Sequence, residues 1–147
     1  MKGRTFIEIE PGERIVDTLT VTDYHIFTAA GLFKDFNPVH VNEAFGRASR
    51  FKSRITHGAL TAGIMIGVLG NYLAGTALAL VEQMMKFKAP VLPGDTLTTE
   101  WQVESKEYKE KLDGGFITFK GLCRNQRNEV VVEGQCKFLV SAQHLPA

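Results

Sequence analysis

A chain of 147 residues has room for one ordinary domain and can bury roughly 68–70% of the surface its unfolded form exposes. Hydrophobic residues make up 44% and charged residues 22%, which excludes disordered and collagen-like classes. With 17 Lys and Arg against 16 Asp and Glu, the net charge is +1, so no global basic field exists to hold nucleic acid.

The opening residues MKGRTFIEIEPGER contain no apolar run of the kind a secretory signal needs, and the cytoplasm is the expected compartment. Thr5–Ile9 and Arg14–Val21 read as two short extended pieces around the Pro11-Gly12 turn. Thr22 is placed to cap a short helix from Asp23 to about Ala30, with Gly31 as its stop. Leu32 to His40, which contains Asn37-Pro38, reads as a loop. Asn42 can cap a second short helix through Ala48.

A long apolar helix is expected from about Gly58 to Ala74. No charged residue occurs between Gly58 and Val81, and Arg47, Arg50, Lys52 and Arg54 stand just before. Length and flank match a membrane span. Glycines at 58, 63, 67, 70 and 75, the polar Thr61 and Asn71, and a helix stop at Gly75-Thr76 argue against one. A helix apolar all round is buried in lipid or in protein, and everything downstream reads as strands needing an apolar cover. Protein core is the expectation, with the helix glycines letting strands approach its backbone.

The second half changes period. Leu97, Thr99, Trp101 and Val103 alternate with polar neighbours, as do Val130, Val132, Gly134, Cys136, Phe138 and Val140. Strands are expected at roughly 78–90, 96–110, 115–125 and 129–141. Turns fall at Pro93-Gly94-Asp95, Asp113-Gly114-Gly115 and Gln126-Arg127-Asn128. That last hinge leaves Cys123 and Cys136 out of register, so no disulfide is expected. The architecture is α+β: an antiparallel sheet curved around one long helix, in a single domain spanning 1–147.

Two places can carry chemistry. In Asp35-Phe36-Asn37-Pro38-Val39-His40, Asn37 can make an Asx-turn and Pro38 fixes φ, folding His40 back toward Asp35. A carboxylate and an imidazole so paired can move protons near neutral pH. The plainer alternative is a structural turn followed by a surface histidine. The second place is His57-Gly58, at the amino end of the apolar helix, where unpaired N–H groups suit an anion or a developing oxyanion. Arg47, Arg50, Lys52 and Arg54 could bind phosphates, or simply form a solvated basic turn. Met65, Ile66, Leu69, Met84 and Met85 have core spacing and could equally line an acyl pocket. No metal-ligand spacing is visible.

Taken in order, Asp35-x-Asn37-Pro38-x-His40, then Ser53-Arg54-Ile55-Thr56-His57-Gly58-Ala59-Leu60, then Phe87-Lys88-Ala89-Pro90-Val91-Leu92-Pro93-Gly94-Asp95, the chain resembles the MaoC-like, R-specific enoyl-CoA hydratases. The resemblance covers nearly the whole chain. It implies the hot-dog fold, a homodimer, and reversible syn addition of water to a trans-2-enoyl thioester. It also implies Asp35 and His40 as the catalytic pair and Gly58 as the amide that polarises the thioester carbonyl. Asn37, His57 and Arg54 fall to substrate binding, with Asn37 also shaping the loop. No metal and no cofactor is implied beyond the coenzyme A carrier, and no nucleic-acid or membrane partner. Lys34 stands where a glycine usually precedes the aspartate and would suit an extra substrate carboxylate, and Asn42 replaces an acidic residue. An acyl-CoA thioesterase on the same fold and a non-catalytic acyl-thioester binding module are the rival readings.

Overall fold

The computed structural model describes residues 2–144. In chain order it forms β1 (Arg14–Thr20), α1 (Asp23–Phe33), α2 (Pro38–Val41), α3 (Glu43–Ala48), α4 (Gly58–Tyr72), β2 (Ala77–Phe87), β3 (Thr96–Lys109), β4 (Gly114–Arg124) and β5 (Val130–Ser141). The strands make one sheet in the order β1-β3-β4-β5-β2, antiparallel throughout. Met65, Val68 and Leu69 of α4 pack with Leu97, Trp101, Val103, Phe119, Val132 and Phe138 of the strands in one apolar cluster. This is the helix-in-sheet layering that the alternating pattern implied.

One contact fixes the depth of the helix in the sheet. Trp101, Gly121 and Gly134 are successive cross-strand neighbours on β3, β4 and β5. A Cβ on Gly121 would overlap the Trp101 ring, and one on Gly134 would meet it at 3.1 Å. Two strands thus give up side chains to make a slot for the indole. The buried indole needs a hydrogen-bond acceptor, and its Nε1–H donates to the Met65 carbonyl in the middle of α4 at 2.9 Å.

Several expectations are corrected. Thr5–Ile9 is a turn rather than an extended piece. The backbone from Gly3 to Phe6 ties the carboxyl end of α4 to β5: Gly3 N–H donates to the Ala74 carbonyl, Arg4 N–H to that of Tyr72 and Phe6 N–H to that of Ser141. Helix α1 runs through Gly31 to Phe33, because Lys34, at φ 57°, takes the left-handed capping conformation instead. The stretch read as loop contains α2, with Pro38 at its first position and the Asn37 side chain accepting from Val39 N–H. The β3–β4 turn comes earlier than the glycines. Asp113 carries the positive φ, and Gly114 and Gly115 lie inside β4, where a Cβ would overlap the Val140 and Glu107 carbonyls.

The glycines of α4 are corrected as well. Nothing lies within 4 Å of a Cβ placed on Gly63, Gly67 or Gly70, so they open outward and do not admit strands. Among the described residues no helix is long and apolar enough to cross a membrane; the apolar stretch divides into α4 and β2. Cys123 pairs with Val132 and Cys136 with Phe119, and both thiols are free and buried. Burial raises both thiols above their ordinary range, Cys136 to about 12.

Candidate active site

The Asp35–His40 loop is built from backbone upward. The Asn37 N–H donates to Asp35 Oδ1 at 3.1 Å, and His40 N–H donates to the Asn37 carbonyl at 2.9 Å. The turn returns the imidazole toward the carboxylate, leaving His40 Nε2 3.8 Å from Asp35 Oδ2. The Asp35 side chain is half-exposed while His40 is buried. His40 Nδ1 lies 2.8 Å from the Ile55 carbonyl. A carbonyl oxygen only accepts, so Nδ1 carries a proton and Nε2 is the ring atom that faces Asp35.

The 53–58 segment reaches the same place from the other side. His57 precedes α4 and is 2% exposed. Its ring stacks on His40 with centroids 3.9 Å apart, and its Nε2 lies 3.0 Å from the Asp35 backbone carbonyl. Gly58, next in the chain, opens α4, and its N–H is among the first helical donors without an intrahelical acceptor. The Phe87 ring at the end of β2 stands 3.2–3.6 Å from where a Gly58 side chain would begin.

A cavity of about 290 Å³ adjoins this helix end, lined by Ile55, Thr56, Gly58, Thr61, Phe87, Val91 and Val132 among others. Arg50 and Lys88 also line it. Asp35 and His40 do not. The cavity and the pair are joined through the 55–58 backbone, whose Ile55 supports His40 while Gly58 faces the cavity.

Asp35, His40, His57 and Gly58 are therefore brought together, with Asn37 shaping their loop. Two roles need revision. Arg54, expected to meet substrate, is 8% exposed. Its guanidinium donates to Asp23 Oδ1 at 2.7 Å, to Glu43 Oε2 at 2.9 Å and to the His40 carbonyl at 3.3 Å. Those carboxylates hold its pKa above the ordinary value, and it clamps α1 and α3 to the loop behind His40. His57 is turned inward rather than toward a ligand. Arg50 and Lys88, at the cavity, are the better-placed cations.

Asp35, His40 and His57 each place one potential ligand atom within 4.8 Å of the others. The two imidazoles lie nearly parallel, at 28°, so the lone pairs in their planes run side by side instead of converging on one ion.

An antiparallel sheet around a buried helix, with an Asp-x-Asn-Pro-x-His loop at the helix's amino end, defines a hot-dog architecture with a paired carboxylate and imidazole beside that helix end. Residues 6–117 match the family model described as MaoC like domain. The chain is 38% identical over 138 residues to the (R)-specific enoyl-CoA hydratase of Rhodospirillum rubrum, covering 94% of this chain and 92% of that one. An unliganded R-hydratase of Pseudomonas aeruginosa superposes with a TM-score of 0.86 at 26% identity, over 96% of this chain and 88% of the other. The (R)-hydratase of Aeromonas caviae does so with a TM-score of 0.78 at 28% identity, over 94% and 98%. The chain belongs to the MaoC-like family.

Proposed function

We propose that this protein is an R-specific enoyl-CoA hydratase/dehydratase, adding water reversibly and syn to a trans-2-enoyl thioester. The observation that carries the reading is the Asp35–His40 pair, 3.8 Å apart, beside the amino end of α4. That distance is too long for a direct hydrogen bond and short enough for one water to touch both groups. The thioester carbonyl accepts from Gly58 N–H, where the helix dipole favours the negative charge that develops on oxygen. Water oxygen bonds to the β-carbon as one water proton passes to the Asp35 carboxylate. Asp35 passes that proton to the bare Nε2 of His40, and the ring hands it to the α-carbon, which leaves the pair as it began. Both groups act from one side, which makes the addition syn.

The carrier is coenzyme A, with Arg50 and Lys88 beside the cavity as the cations for its phosphates. No cofactor beyond that carrier takes part. The working unit is a cytoplasmic homodimer. A thioesterase would use the same helix end, but the paired carboxylate and imidazole favour hydration. Product analysis separates them: loss of enone absorbance without thiol release is hydration, and free thiol is hydrolysis. A substrate that raises the melting temperature yet stays unchanged marks a binding module.

Asp35→Asn and His40→Gln test the pair. If they move protons, each variant loses about 10²–10⁴-fold in turnover of crotonyl-CoA at near-normal stability. The double variant loses far less than the product of the two, because residues acting as a unit are non-additive. Wild-type turnover in a folded Asp35→Asn variant would falsify the mechanism.

A further inference from the structure

We infer that His57 is a positioning residue, which locks Asp35 and His40 into one unit by holding the backbone of the first and the ring face of the second. The inference rests on the hydratase reading of the same site.

Three contacts carry it. His57 Nε2 lies 3.0 Å from the Asp35 backbone carbonyl. A carbonyl offers no proton, so Nε2–H is the donor and Nδ1 is the bare nitrogen when the ring is neutral. Nδ1 is itself buried and, among the described residues, has no hydrogen-bond partner. The ring then lies flat against His40, centroids 3.9 Å apart, with Phe33 edge-on behind it at 6.0 Å. A histidine serving only as a helix cap would need none of this. Its side chain makes no cap hydrogen bond at α4.

The consequence is a pair of stacked rings with opposite proton placement. His40 is protonated on Nδ1, facing Ile55, and presents Nε2 to Asp35. His57 is protonated on Nε2, facing the Asp35 carbonyl. The donor holds the residue whose carboxylate must sit near His40 Nε2, and the stacked face keeps the His40 ring from tilting off that line. Asp35 is half-exposed at the start of a loop, so without this bond its carboxylate would sample a wider arc. A misplacement of about 1 Å costs on the order of 10²-fold in rate.

His57→Phe keeps a ring against His40 and removes the donor, whereas His57→Gln keeps an amide N–H at similar reach and removes the ring. With crotonyl-CoA, His57→Phe is expected to lower kcat by about 10–100-fold and leave KM within about threefold, since geometry rather than binding is lost. His57→Gln is expected to recover kcat to within about tenfold of wild type, because it restores the bond to Asp35. A structural role alone would lower the melting temperature without this split. Imidazole nitrogen NMR on the free wild-type protein is read alongside and needs no turnover. It should show His57 protonated on Nε2, His40 on Nδ1, and His40 resonances displaced in His57→Phe. Unchanged kcat in a folded His57→Phe variant, His57→Gln no better than His57→Phe, or His57 protonated on Nδ1 would each overturn the inference. A wild-type protein that leaves crotonyl-CoA unchanged would remove the hydratase reading instead, and the nitrogen spectra would still decide whether His57 holds the loop.

Discussion

At the scale of single residues, Gly58 is the position where space decides function. A Cβ there would meet the Phe87 ring at 3.2–3.6 Å, tighter than ordinary contact but against the half-exposed end of an edge strand that can give a few tenths of an ångström. Alanine also has better helix propensity than glycine. Gly58→Ala is therefore expected to fold with a melting temperature close to wild type. Its methyl would stand between the amide and the cavity, where a thioester carbonyl must approach. Activity should fall by about 10–10³-fold, the scale of a lost oxyanion donor. Circular dichroism and crotonyl-CoA turnover on the same sample check both halves. Full activity would take Gly58 out of the mechanism.

At the scale of elements, local signals proved readable where one residue determines the conformation. Asn42 caps α3 through its side chain, accepting from Phe45 N–H, as its place before Glu43 suggests. The four long strands lie within about three residues of where their alternation puts them, because period 2 leaves one register with an apolar inner face. The Asp35–His40 loop was legible for the same reason, since Asn37-Pro38 leaves the chain few conformations. The role of Arg54 was not legible. A cation in a basic run looks like solvated surface, and its partners Asp23 and Glu43 lie 31 and 11 residues away. The stacking of His57 on His40 is likewise a tertiary fact with no local signal.

Asp95 shows the same limit and makes a pH prediction. The sequence marks it only as part of a turn, yet it is 3% exposed and joins that turn to the β4–β5 hairpin. Its carboxylate accepts from Leu92 N–H at 2.9 Å, Gln126 Nε2 at 2.8 Å and Arg127 Nη1 at 3.0 Å. Burial opposes the charge, but the Leu92 amide, Arg127 and Gln126 outweigh it and hold the pKa below the ordinary carboxylate range. A depressed folded pKa contributes stability that is present above the unfolded value of about 3.9 and is lost as pH falls through the folded one. Asp95→Asn should cost about 1–3 kcal/mol at neutral pH. The gap in melting temperature between wild type and variant should narrow below about pH 4. A gap that stays constant well below about pH 4, through the range where the carboxylate protonates, would show that the charge contributes nothing.

At the scale of the whole molecule, the two sheet edges are unlike. β1 has seven residues, among them Arg14, Asp17, Thr18 and Thr20, the short polar edge that discourages pairing. β2 has eleven residues, pairs among the described residues only with β5, and carries exposed Leu78, Leu80, Val81, Met84 and Phe87 against two charges, Glu82 and Lys86. A long apolar edge with unpaired backbone groups invites another strand. The simplest partner is β2 of a second copy, because a two-fold axis lets one edge complement itself and closes the assembly. A net charge of +1 offers little repulsion to prevent it. Phe87 ends this strand beside Gly58, so pairing there would also fix one wall of the cavity. Sedimentation should give about twice the 16.3 kDa chain mass. Leu80→Lys with Met84→Lys should bring this down to the mass of one chain, because each puts an unpaired charge into the shared edge. Wild-type protein that sediments as one chain at micromolar concentration would rule the pairing out, and a doubly substituted protein that still pairs would place the contact elsewhere. If the edges do pair, the monomeric variant should keep the Asp35–His40 geometry, all of it within one chain, yet lose affinity for the thioester as the Phe87 wall loosens. A rise in KM larger than the fall in kcat is the result to look for.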